Sequence, residues 1–149
     1  MDKTVLAYIK KNNQYLMLFR NKKQKDINKG KWIGIGGHIE ENETIIDALY
    51  REIKEETNLD VKSYKYKGIV YFFNKNYEEE MHLFIVDDFN GELKECDEGT
   101  LKYIDIDKVT SLNIWEGDKI FLPLLIKDEP FFKLKLYYKD DKLIKVDKE

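Results

Sequence analysis

The stretch from Gly36 to Leu59, GGHIEENETIIDALYREIKEETNL, constrains this chain more than any other. Its second half has helical periodicity. Ile46, Leu49 and Ile53 recur on one side, with Ile45 and Ala48 beside them. Thr44 followed by Asp47 makes a capping-box-like start, and Asn58 is a stop, because Asn tolerates the left-handed conformation that ends helices. The opposite face carries Arg51, Glu52, Glu55 and Glu56. Spacings of three and four place Glu52, Glu55 and Glu56 on one side. Two carboxylates ~5 Å apart at an effective dielectric of ~20 repel by about 3 kcal/mol, falling to a few tenths when fully solvated. In a cleft, that face calls for a cation. Hard divalent ions take oxygen ligands, and Mg²⁺ favours a few carboxylates plus waters and phosphates. Upstream, Gly34, Gly36 and Gly37 let the backbone turn and approach a ligand, and a carbonyl there could complete a metal shell. The plainer reading pairs Arg51 with Asp47 or Glu55 and leaves the glutamates solvated.

These positions resemble the Nudix box, G-x5-E-x7-R-E-U-x-E-E-x-G-U with U aliphatic. Gly37 fills the first glycine and Glu43 the first glutamate. Arg51-Glu52-Ile53 fills REU, Glu55-Glu56 follows Lys54, and Leu59 closes the motif. Asn58 stands where the pattern has its last glycine. The resemblance implies that Glu52, Glu55, Glu56 and the Gly36 carbonyl hold Mg²⁺ or Mn²⁺. It also implies that Glu43 orients Arg51, and that Glu52 or a later loop acid activates water. Among Glu95, Asp97 and Glu98, the last aligns best. The alternative for Glu98 is an exposed loop acid.

Beyond the box, the chain resembles MutT-type nucleoside triphosphatases, especially animal enzymes acting on oxidised purine nucleotides. The anchors are GKWIGIGGHIE, Asp97-Glu98, and WEGDKIFLPLLI from Trp115 to Ile126. The resemblance implies base contacts by Phe72, Trp115 and Asp118. It puts Ile33 where the subgroup reads the base with Asn, and Gly117 where it has a further acid. Gly37 and His38 are expected on the phosphate side, and His82 is expected to be structural. The implied reaction is metal-dependent pyrophosphohydrolysis of purine triphosphates such as 8-oxo-dGTP. ADP-ribose, dinucleoside polyphosphates, capped RNA and a non-catalytic nucleotide-sensing module are the alternatives.

The remainder reads as one α/β domain, residues 1–149, with a mixed sheet sandwiched by helices. Thr4–Ile9 and Tyr15–Phe19 form a hairpin at Asn12-Asn13. Arg20 to Lys31 is Lys-rich, either solvated linker or phosphate-attracting. Trp32 to Glu40 is a glycine-interrupted strand and turn. Val61 to Phe73 is a strand with a break at Gly68, Asn74 to Glu80 a polar turn, Met81 to Val86 a strand, and Asp87 to Glu92 a turn. Leu101 to Ile104 is a strand, with a helical turn near Asp107–Val109. Glu116 to Lys127 is a helix burying Ile120, Phe121, Leu124 and Leu125, in which Pro123 predicts a kink or a start nearer Phe121. Phe131–Tyr138 and Leu143–Val146 form a last hairpin around Asp140-Asp141. Net charge is −3 with acids and bases interleaved, which argues against duplex nucleic acid. Cys96 is alone, and neither a signal peptide nor a membrane span is expected. The expectation is a cytoplasmic nucleotide-binding protein, a monomer or homodimer.

Overall fold

The computed structural model describes residues 1–149. Nine strands and two helices alternate along the chain: β1 (Asp2–Lys11), β2 (Gln14–Phe19), β3 (Trp32–Ile33), β4 (Ile35–His38), α1 (Ile45–Thr57), β5 (Asp60–Asn74), β6 (Tyr77–Asn90), β7 (Thr100–Asp105), α2 (Asp118–Ile126), β8 (Phe132–Lys139) and β9 (Lys142–Lys148). The sheet runs β3-β2-β1-β6-β5-β8-β9, with β4 on β1 and β7 on β2. It is mixed: β1·β6 and β5·β8 are parallel and the other pairs antiparallel.

Alternation along the strands makes two cores. Val5, Ala7, Ile9, Leu16, Leu18, Phe84 and Val86 face α1, meeting Ala48, Leu49 and Ile53. Tyr8, Tyr15, Met17, Met81, Leu83 and Ile85 face α2, meeting Phe121, Leu122 and Leu125. Each fully buried Leu or Ile contributes about 1.5–3 kcal/mol. The α/β/α sandwich expected from the sequence is therefore what forms. No helix is long and apolar enough to cross a membrane.

The caps of α1 behave as their residue types dictate. Thr44 Oγ1 accepts from Asp47 N at 3.0 Å. Asn58 adopts φ 69° and returns its N–H to the Lys54 carbonyl. In α2, Trp115 to Gly117 form a turn, so the helix starts at Asp118 rather than Glu116, and it runs through Pro123. Leu122 is fully buried there, while Ile120 and Leu124 pack at the core's margin.

Two expected turns are strand. Tyr77–Glu80 belongs to β6, and the turn shrinks to Lys75-Asn76. At the other end β6 runs on to Asn90, and Gly91 turns with φ 108°. Glutamate and aspartate are poor strand formers in isolation, but partners on β5 complete the ladder here. β5 is not broken at Gly68, which pairs with Leu83 and follows a bulge at Lys67. A Cβ on Gly68 would stand 2.5 Å from the Phe132 carbonyl oxygen.

Candidate active site

Arg51 is the hub of the α1 face. Its Nε and Nη2 donate to the two Glu43 oxygens at 2.7 and 2.9 Å, a bidentate pair. Nη2 also donates to the His38 carbonyl at 2.9 Å, and Nη1 to Glu52 Oε1 at 2.7 Å and Glu55 Oε2 at 3.3 Å. Hydrogen bonding from Arg51 and from the Glu40 backbone holds Glu43 down at about 2. Asp47, the other partner considered from sequence, is instead at the helix cap.

The three box glutamates sit in different environments. Glu55 is mostly exposed. Glu52 is largely enclosed, and its carboxylate fills the space a side chain on Gly37 would need: a Cβ there would lie 2.6 Å from Glu52 Cδ. Gly37 is thus tied to Glu52 packing. Glu56 is only 8% exposed and accepts the Gly36 N–H at 3.2 Å. Burial raises its carboxyl to about 9, helped by a hydrogen bond with Glu98 and by the charges of Glu98 and Glu52. Burial also raises Glu52, partly offset by Arg51. Glu98 moves the other way. Burial pushes it up, but the hydrogen bond with Glu56, Arg20 and Lys23 outweigh that, and it sits below the usual range. Arg20 Nη1 reaches Glu98 at 3.1 Å and Lys23 Nζ at 3.4 Å.

Glu56, held by the Gly36 N–H, is therefore the acid that feels both Glu98 and Glu52. Glu95 and Asp97, from the same loop as Glu98, stay exposed. No three acidic, His or Cys side chains converge as a ready-made ligand set. The donor chemistry still suits a hard divalent cation: a buried carboxyl crowded by two others, all oxygen donors, beside a backbone turn. His38 is exposed and contributes its backbone carbonyl to Arg51.

The signature of the NUDIX domain matches residues 2–125. The chain belongs to the Nudix hydrolase family. Two curated relatives are described as oxidized purine nucleoside triphosphate hydrolases. The Danio rerio protein is 33% identical over 111 residues, spanning 73% of this chain and 71% of that one. The Mus musculus protein is 30% identical over the same length and shares. Among solved structures, a MutT protein from Bacillus halodurans superimposes with a TM-score of 0.88 at 25% identity, covering 100% of this chain and 98% of that one. These likenesses fit a Nudix fold of MutT type.

The second region of this Nudix chain is a slot on the α2 side of the sheet. Trp115 and Phe72 both lie against Tyr138, with ring centroids 6.2 Å away in each case. Trp115 Nε1 donates to Asn28 Oδ1 at 2.7 Å, and the Lys31 ammonium lies 4.6 Å from the Trp115 ring centroid. Tyr138 OH accepts the Gly117 N–H at 2.7 Å, fixing the turn before α2. Asp118, at the head of α2, is 6% exposed. Burial pushes it up to about 8; Lys31 pulls it down and Glu79 pushes it up.

Ile33 is not in this slot. It pairs with Leu18 and packs in the α1-side core, because a strand alternates its faces and Trp32 takes the α2 side. His82 is buried between Tyr66 and Glu80, hydrogen-bonded through both ring nitrogens, away from both regions. Tyr138 and Lys31 were not singled out by sequence. The alternation Phe132, Leu134, Leu136, Tyr138 was the available signal for the first. Lys31 had none beyond its place before Trp32.

Proposed function

We propose that this Nudix hydrolase is a divalent-cation-dependent pyrophosphohydrolase of purine nucleoside triphosphates, oxidised ones included, releasing the monophosphate and pyrophosphate. One observation carries the reading: the Arg20–Lys31 loop touches both regions. At one end Arg20 and Lys23 lie on Glu98, beside Glu56. At the other, Asn28 and Lys31 hold Trp115 at the slot. A base in the slot and a polyphosphate at the acids would thus share one basic wall.

Mg²⁺, or Mn²⁺, held by Glu52, Glu55, Glu56 and the Gly36 carbonyl would neutralise phosphate charge and lower the pKa of a bound water. Arg51 keeps Glu52 oriented and ionised. Glu98, beside Arg20 and Lys23, and Glu52, beside Arg51, are the two carboxylates offered as the group that orients water and takes its proton. Arg20 and Lys23 supply further positive charge to the polyphosphate. Attack at a bridging phosphorus then divides the chain, with positioning and electrostatics as the main contributions. Trp115 and Phe72 offer ring faces to any nucleobase. Asp118 can bond the donor edge of a guanine-type base.

The test is a panel of normal and oxidised dNTPs, ADP-ribose and dinucleoside polyphosphates, run with and without Mg²⁺. Metal-dependent release of pyrophosphate from purine triphosphates is expected. Turnover of ADP-ribose with none of any triphosphate would overturn the substrate class. Asp118→Asn should lower kcat/KM for the preferred purine about tenfold or more, the worth of one buried hydrogen-bond partner. A pyrimidine triphosphate should change little. Equal losses on purine and pyrimidine would show that Asp118 does not read the base.

A further inference from the structure

A glutamate expected in a turn stands on β6 instead, on the face that carries the slot's Phe72. Glu79 is the cross-strand partner of Phe72. Directly opposed residues of an antiparallel pair share a face, with Cβ atoms about 4.5–5.5 Å apart. Phe72 packs against the α2-side core, so Glu79 lies on that side too. Two other strand residues pin its carboxylate. Oε2 accepts from Thr4 Oγ1 at 2.6 Å, and Oε1 accepts from the Tyr77 hydroxyl at 2.7 Å. Thr4 is itself buried, and Glu79 is half-buried.

An ionised carboxylate offers about four acceptor sites, so two remain free on Glu79. The Asp118 carboxylate, almost wholly buried, takes no hydrogen bond within the protein. Asp118 feels the charges of both Lys31 and Glu79. The slot therefore combines aromatic faces with an acceptor carboxylate, Glu79, and a buried carboxyl, Asp118, whose hydrogen-bonding capacity is unused. A base with one isolated N–H would satisfy one of them. A base with a ring N–H next to an exocyclic amine can bond both, and buried acceptors left unpaired penalise the poorer base.

Resting on the slot as the base site, we propose that Glu79 is a second specificity-determining carboxylate. With Asp118 it selects a guanine-type edge over one lacking the exocyclic amine. dGTP and dITP differ by that amine alone, so the ratio of their kcat/KM values reads the proposal directly. Glu79→Gln replaces an acceptor by a donor at nearly the same shape. It is expected to lower the dGTP/dITP ratio of kcat/KM values at least tenfold. Competitive inhibition by dGMP and dIMP gives the same comparison without turnover. Thr4→Val, which loosens Glu79 without removing its charge, should lower the ratio by a smaller factor and serves if Glu79→Gln does not fold. Trp115→Ala separates the two levels of the argument. If it weakens both nucleotides while the Glu79 and Thr4 variants leave the ratio unchanged, Glu79 has no part in selection and the base site stands. If Trp115→Ala leaves both nucleotides unaffected, the slot is not the base site and the proposal falls with it.

Discussion

Glu56→Gln is expected to lower kcat by about 10²–10⁴ and to leave the fold intact. The side chain is buried against the Gly36 N–H and next to Glu98, with Glu52 close enough to raise its carboxyl further. Glutamine keeps an acceptor for Gly36, so the local hydrogen bond survives. With its carboxyl raised to about 9, the side chain is already largely neutral at pH 7, so the folded state loses little there. What it removes is the hardest and least mobile oxygen donor of the acid cluster. Glu52→Gln should give a loss of similar size, since it removes an oxygen donor to the cation and a group proposed to take the proton, and Arg51 also loses a charged partner at 2.7 Å. Steady-state kinetics at saturating Mg²⁺, alongside thermal unfolding, checks both. If either variant keeps more than about a third of wild-type kcat, that residue is misassigned.

The contrast between Glu55 and Glu56 marks how far sequence reasoning reaches here. Spacing alone put Glu52, Glu55 and Glu56 on one helical face, and they are there. Spacing could not show that Glu55 is mostly exposed while Glu56 is enclosed. That difference comes from β4, a short strand about twenty residues upstream, whose Gly36 N–H reaches Glu56. The caps of α1 were legible because Thr44 and Asn58 act locally. The two cores were legible because β1, β2 and β6 alternate.

The slot was only partly legible. Phe72, Trp115 and Asp118 came from the family resemblance. Ile33 came from the same source and lies on the other face, since its position is fixed by pairing with Leu18. Glu79 was hidden by its neighbours. Three consecutive glutamates after a polar run look like a turn, and only pairing with Tyr71, Phe72 and Phe73 makes them a strand. Tertiary context overrides strand propensity most easily in such a hairpin.

Arg51→Leu should be the most destabilising change in the site. Arg51 binds Glu43 through two hydrogen bonds, reaches Glu52, Glu55 and the His38 carbonyl, and is itself largely enclosed. Leucine has similar bulk and no donor. Glu43 and Glu52, each with 13% of the side chain exposed, lose their cation. Removing the cation from this half-buried network costs about 1–3 kcal/mol, between the scale of an exposed ion pair and that of a fully buried one, or several degrees in Tm for a chain of this size. The pH dependence has a definite sign. Glu43 sits at about 2 in the folded protein against an ordinary 4.5. Its pairing with Arg51 therefore stabilises fully above about 4.5, and that contribution is lost as pH falls towards about 2. In Arg51→Leu only the Glu40 N–H still holds Glu43 down, and protonation relieves the repulsion among the remaining acids. The stability gap between wild type and variant should be widest at neutral pH and narrow steadily in acid. Arg51→Lys should fall between the two, because an ammonium keeps the charge but cannot form the bidentate pair. Urea unfolding at pH 7 and near pH 3 measures the gap. A gap below about 1 kcal/mol at pH 7, the scale of an exposed ion pair, would show that Arg51 is a surface residue in energetic terms. A gap that stays constant in acid would show that it acts through packing and not through Glu43.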